Sequence, residues 1–102
     1  MYNVWVKKFN YKETLTATEG LITKVIGPVV DVEFPSGDLP NIYTALNMFQ
    51  DDGTKIVAEV QQMLGSNKVR TVAMSSTDGL RRGMKVINTN EPIKIPVVNA
   101  IL

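Results

Sequence analysis

The sequence predicts an all-β protein, a small closed antiparallel barrel of about six strands with an N-terminal arm. From residue 21 onward, apolar and polar residues alternate with a period of two, as in strands that bury one face. β-Branched residues are dense enough in these segments to favour strands over helices. Clusters of Gly, Pro, Asp and Asn recur at the short spacing typical of small barrels. With 102 residues and 44% hydrophobic content, the chain can form one compact core.

Three regions are predicted along the chain. Residues 1–20 form an arm or linker, since a short alternating stretch is followed by a polar, Thr-rich one. Residues 21–97 form the barrel, and residues 98–102 are a C-terminal tail. Trp5 lies in the arm, where it is either an anchor for a partner or packs back over the mouth of the barrel.

The first half of the barrel is predicted to contain two or three strands. Residues 21–26 form one strand, and Gly27 and Pro28 interrupt it as a bulge because proline removes a ladder donor. The pattern resumes over residues 29–34, and a loop rich in proline follows. Residues 42–49 are expected to form either a short strand or a helical turn.

The second half is predicted to be a series of hairpins. Asp51, Asp52 and Gly53 form a tight turn, because Asp-Gly readily adopts the positive φ angles that short hairpins need. The strands predicted after this turn cover residues 55–64, 69–74, 84–88 and 93–97, the last two being separated by residues 90–92. The residues expected to point inward or to contact the sheet are Val30, Val32, Phe34, Ile56, Ala58, Val60, Val69, Thr71, Ala73, Val86 and Ile95.

The composition excludes several kinds of chemistry. Without Cys or His, the chain has no disulfide, thiol nucleophile or imidazole base. No Gly-x-x-x-x-Gly-Lys-Ser/Thr loop occurs, so no nucleotide-phosphate cradle is predicted. Asp51 and Asp52 fit a role in capping the turn better than metal binding, which needs more oxygen ligands. We therefore expect no catalytic residue, no cofactor and no metal.

Membrane insertion is not expected either. No stretch approaches the roughly 18 apolar residues of a spanning helix, and no signal-peptide pattern opens the chain. The formal net charge of +1 also gives little general attraction to anionic surfaces. These features predict a soluble protein.

Basic residues are concentrated at two places, and they are the candidate partner contacts. Arg81, Arg82 and Lys85 form one group, and Arg70 lies near Lys68 in the other. Small barrels can bind single-stranded nucleic acid through basic grooves and stacking aromatic residues. Here the aromatic residues are not interleaved with the cations, so a solvated face or a protein contact is favoured over strong nucleic-acid binding.

Five motifs occur in order along the barrel region, namely VIGPVVDVEF (25–34), LPNIYTAL (39–46), EVQQMLG (59–65), VRTVAM (69–74) and TDGLRRGM (77–84). With these motifs the sequence resembles the N-terminal barrel of the F-type ATP synthase catalytic beta subunit. The resemblance runs from about residue 21 to residue 97. Features typical of both plastid and bacterial or mitochondrial versions occur, so the motifs do not fix the lineage.

The resemblance implies a non-catalytic role. In that family, alternating alpha and beta subunits place six such barrels in a crown that holds the hexamer together, and catalysis takes place in a separate domain. The implied partners are the alpha subunit and other beta subunits. The implied location is peripheral to an energy-transducing membrane, on its cytoplasmic, stromal or matrix side. A non-functional fragment of a beta subunit is the further alternative.

One departure from the family pattern concerns a turn. The family has glycine where this chain has Asn90, and asparagine tolerates a positive φ better than other residues with a side chain. We therefore expect the turn to be retained.

Overall fold

The computed structural model describes residues 18–93, which contain six strands and no helix. The strands are β1 (Glu19–Ile26), β2 (Val29–Glu33), β3 (Thr44–Phe49), β4 (Lys55–Gly65), β5 (Lys68–Ala73) and β6 (Lys85–Pro92). The predicted all-β class is confirmed. Residues 42–49, expected to be a strand or a helical turn, contain strand β3.

The strands form a closed barrel in the order β1-β2-β5-β4-β3-β6, and all neighbouring pairs are antiparallel. The ring is completed by β1 and β6, where Glu19 lies opposite Ile87, Gly20 opposite Val86 and Leu21 opposite Lys85. Closure gives each strand a neighbour on both sides. The predicted antiparallel barrel of about six strands is confirmed.

The barrel interior is filled with side chains. Ten of the eleven residues predicted to face inward are buried, with Val30, Val32 and Phe34 completely so. The eleventh, Ile95, lies outside the described residues. The alternation did not single out other members of the core, namely Ile22, Leu46, Met48 and Leu80. The buried Thr71 hydroxyl donates a hydrogen bond to the Val30 carbonyl at 2.8 Å, so this polar group is satisfied.

Gly27 and Pro28 form a turn, not the predicted bulge within one strand. Ile26 lies directly opposite Val29 across the β1–β2 pair, so the chain reverses at these two residues. Gly27 has a φ of 55°, which lets two residues connect adjacent antiparallel strands. The irregularity of β1 instead lies between Ile22 and Lys24.

The separation predicted at residues 90–92 is also wrong, because β6 continues through them to Pro92. The β3–β6 register places Thr44 opposite Pro92 but Leu46 opposite Asn88, so the additional β6 residues form a bulge. Asn90 has a φ of 62°, and its N–H donates to the Asn88 side chain at 2.8 Å. Asn90 therefore has the positive φ that we expected, but it lies in a bulge of β6 and not in a turn. The strand predicted over residues 93–97 lies outside the described residues from residue 94 onward.

The backbone at Gly20 lies very close to the core. A Cβ atom at this position would lie 2.8 Å from the Glu33 carbonyl oxygen and 3.0 Å from the Phe34 ring. We expect Gly20→Ala to lower the free energy of unfolding by about 1–3 kcal/mol, since the clash must displace backbone or a packed ring. Urea denaturation measures this. Lys24→Ala, on an exposed residue of the same strand, is the control, and equal stability of the two variants would contradict the packing.

The φ of Asn90 generates a second prediction. Asn90→Ala should destabilise the barrel by about 1 kcal/mol. Alanine is strained at a positive φ and, unlike asparagine, has no side-chain polar group to form a local hydrogen bond. Asn90→Gly should be at least as stable as Asn90→Ala, since glycine adopts this conformation freely. The melting temperatures of the two variants make the comparison. A higher melting temperature for Asn90→Ala than for Asn90→Gly would contradict the left-handed conformation at residue 90.

Candidate interaction surface of the barrel

Arg70 points outward from β5 and pairs with the carboxylate opposite it on β2. Its guanidinium donates to both carboxylate oxygens of Asp31, at 2.9 and 3.0 Å. This hydrogen bonding, reinforced by the charge of Asp31, raises the pKa of Arg70. The side chain of Asp31 is only 8% exposed. Arg70, predicted as a partner contact, is therefore engaged within the barrel wall.

Arg81 also has an intramolecular partner. Its guanidinium donates to both carboxylate oxygens of Asp51, at 2.9 and 3.4 Å, which raises the pKa of Arg81. Nearby, the Gln50 side chain donates to the Asp78 carbonyl. These contacts tie the β5–β6 loop to the β3–β4 hairpin at one end of the barrel.

Lys85 and Arg82 are the other members of the predicted basic group, and they differ in whether they have a carboxylate partner. Lys85 lies 3.4 Å from the Glu19 carboxylate across the closing β1–β6 pair. Arg82 is exposed, and it forms no ion pair within residues 18–93. It lines a groove of about 650 Å³ whose charged residues have both signs, namely Lys24, Asp31, Glu33 and Lys68.

The five predicted contact residues therefore do not form one basic surface. Arg70, Arg81 and Lys85 are paired with carboxylates on separate parts of the barrel, and Trp5 lies outside the described residues. Phe34, which a nucleic-acid barrel could have used for stacking, is completely buried. Tyr43 and Phe49 are exposed, but neither lines the grooves that contain Lys55, Arg70, Arg81 or Arg82, whereas single-strand binding combines basic grooves with stacking aromatic rings.

Asp52 caps the β3–β4 turn. The Thr54 N–H donates to its carboxylate at 2.8 Å, and the hydrogen bonds from Thr54 hold the pKa of Asp52 below its ordinary value of 3.8. The negative carboxylate therefore supports the turn above about pH 4 and loses that role as the pH falls through the lowered pKa. Within residues 18–93, no three Asp or Glu side chains are grouped so as to hold a metal ion.

The outer wall carries apolar side chains that composition did not reveal. Ile26 is 59% exposed and Met74 is 52% exposed, although both belong to strand-forming segments. Val29 and Val72 are half-buried beside them. In the period-two alternation, these residues have the opposite parity to the buried Val30 and Ala73, so they belong to the other face of the sheet. That parity is the signal in the sequence that could have identified this outward face.

A second apolar feature is an open groove of about 500 Å³ on the outer wall, centred on β3. Its apolar lining consists of Ala45, Val57, Met74, Pro92 and Ile93, and its polar lining of Asn47, Lys55, Thr89 and Glu91. The β6 bulge forms one side of the groove. There the Thr89 hydroxyl donates to the Ala45 carbonyl at 2.8 Å.

The closed six-stranded barrel agrees with a comparison of the sequence to known protein families. The ATP synthase alpha/beta family, beta-barrel domain, matches residues 22–90 of the 102. The chain belongs to the ATP synthase alpha/beta family. The barrel domain of this family carries no catalytic site of its own. Residues 18–93 also include no helix that could cross a membrane.

The two arginine pairs should differ in their contribution to stability. Arg70→Met should lower the melting temperature clearly, because it leaves the nearly buried carboxylate of Asp31 without its charged partner. Arg81→Met is the matched control, and it should have little effect because the Asp51 side chain is 75% exposed. Calorimetric melting of both variants tests this difference, and a larger loss in Arg81→Met would refute it.

Proposed function

We propose that this chain is the N-terminal crown barrel of an F-type ATP synthase beta subunit. The membership of the ATP synthase alpha/beta family is the observation that carries the proposal. The five motifs within residues 25–84 resemble the beta subunit in particular. The role is non-catalytic, and the barrel helps to hold the alternating alpha and beta subunits together.

The described barrel supports a role in protein contact. Its interior is filled by side chains such as Leu46 and Met48, both 0% exposed, so no ligand can be bound inside it. The outer wall, in contrast, presents exposed apolar side chains, a feature that marks protein–protein contact sites. In this proposal the outer wall binds the alpha subunit and other beta subunits.

The proposed location follows from the proposed assembly. A crown barrel lies in the water-exposed part of the synthase, peripheral to an energy-transducing membrane. The absence of a spanning helix among residues 18–93 is compatible with this position. Attachment would come through the other subunits.

Binding to a synthase alpha subunit tests the proposal. The chain should associate with purified alpha subunit in sedimentation velocity, and the association should persist at raised salt because the contact is largely apolar. The chain alone should show no heat of binding with magnesium-ATP. A chain that neither binds the alpha subunit nor enters a reconstituted hexamer would favour the non-functional fragment.

A polyanion assay at two ionic strengths tests the nucleic-acid alternative. We expect weak binding of single-stranded DNA at low salt and none at physiological salt. A tight complex that weakens steeply with salt would contradict the proposal, since phosphate contacts release counterions. Arg81→Glu combined with Arg82→Glu should abolish only that complex, leaving any association with the alpha subunit unchanged.

A further inference from the structure

The lining of the outer-wall groove of about 500 Å³ includes the last residue that the structure describes. Ile93, the residue after β6, belongs to the apolar lining together with Pro92. We call this groove the outer groove. The chain continues from its wall into residues 94–102, which we call the C-terminal segment.

The outer groove follows β3 from one end of the strand to the other. Among its lining residues, Pro92 lies opposite Thr44 at the start of β3, and Lys55 lies opposite Phe49 at its end. The six residues of β3 span roughly 20 Å. The nine residues of the C-terminal segment reach about 30 Å when extended. The segment is therefore long enough to follow the outer groove over its whole length.

The composition of the C-terminal segment matches the lining of the groove. Seven of its nine residues are apolar, and Lys94 is its one charged side chain. Ala45, Val57 and Met74 line the groove, and Met74 is exposed in the described barrel. Glu91, also in the lining, has the charge opposite to that of Lys94. Contact between segment and groove removes apolar surface of both from water, which is favourable.

A segment on this face can be held only by its side chains. β3 is paired with β4 on one side and with β6 on the other, so its backbone groups already have partners. Pro96 also lacks the N–H group that an added strand would need. Burial of apolar side chains needs neither a free strand edge nor that N–H group.

The N-terminal arm is less well placed for the same groove. The Thr18 carbonyl accepts a hydrogen bond from the Asn88 N–H on the side of β6 that faces β1. The outer groove lies on the other side of β6, which faces β3. Residues 12–17, which precede Thr18, are also largely polar. The C-terminal segment, in contrast, starts at the groove and is apolar over most of its length.

We propose that the C-terminal segment folds back along β3 and covers the outer groove of its own chain. The contact lies within one molecule, so it goes beyond the proposed function and does not depend on it. Its consequence is that the segment and any protein that binds in the outer groove exclude each other.

Paramagnetic broadening tests the contact in the full chain, which has no native cysteine. Asn99→Cys carries a nitroxide label and leaves all seven apolar residues of the segment in place. The methyl signal of Met74 reports on the groove. Met63, also exposed but outside the groove lining, is the matched control. The label should remove most of the Met74 signal and leave that of Met63 nearly unchanged, and chemical reduction of the nitroxide should restore the Met74 signal.

Charged substitutions separate docking from mere proximity. Val97→Asp combined with Ile101→Asp should abolish the broadening of Met74, because a carboxylate loses its hydration when it is buried in an apolar groove. Val4→Asp combined with Val6→Asp, the same changes in the N-terminal arm, should leave the broadening as it was. An unchanged methyl signal from the buried Val60 reports that the barrel stays folded in both variants.

Equal broadening of Met74 and Met63, or none at either, would overturn the inference. Broadening that persists in the variant with Val97→Asp and Ile101→Asp would also overturn it. A third contrary result is broadening in a mixture of spin-labelled chain and isotope-labelled chain without the nitroxide, since the contact would then join two copies. None of these samples contains an alpha subunit, so failure of this inference leaves the proposed function to its own test.

Discussion

The pairing of β1 with β6 is the constraint on which the other features depend. Three opposed residue pairs form this seam, and the carboxylate of Glu19 lies near the ammonium group of Lys85 across it. Three further backbone hydrogen bonds lie next to it. The Ile22 N–H donates to the Met84 carbonyl, the Gly83 N–H to the Ile22 carbonyl, and the Asn88 N–H to the Thr18 carbonyl. If the seam opened, β1 and β6 would each become an exposed edge, and the interior would be accessible to water. Closure therefore keeps the core dry and leaves the outer wall as the surface available for binding.

Much of this barrel follows from local sequence pattern. Strands with a strict alternation, such as β2 and β5, were predicted almost to the residue, and the burial of Val30, Val69 and Thr71 follows from the same parity. Two features did not follow. The sequence at Gly27 and Pro28 fits both a bulge and a reversal, and only the pairing of β1 with β2 decides between them. The β6 bulge was missed for the same reason, since a register shift depends on the partner strand.

The candidate site was less predictable than the fold. Charge alone suggested Arg70 as a partner contact, which stays a prediction, but it did not reveal the ion pair of Arg70 with Asp31, 39 positions earlier in the chain. Pairings at such separations depend on strand order, which a single sequence does not specify. Exposed apolar residues give a better local signal, because Ile26 and Met74 stand out once the inward residues have been assigned.

In the proposed function, this filled barrel acts through its outer wall. The most direct measurement of that claim is methyl NMR of the chain during titration with a synthase alpha subunit. The account predicts shifts at methyl groups of the outer wall, Ile26, Val29 and Met74, and constant signals from the interior residues Val60 and Leu46. Shifts concentrated in the interior, or none at any methyl group, would contradict it.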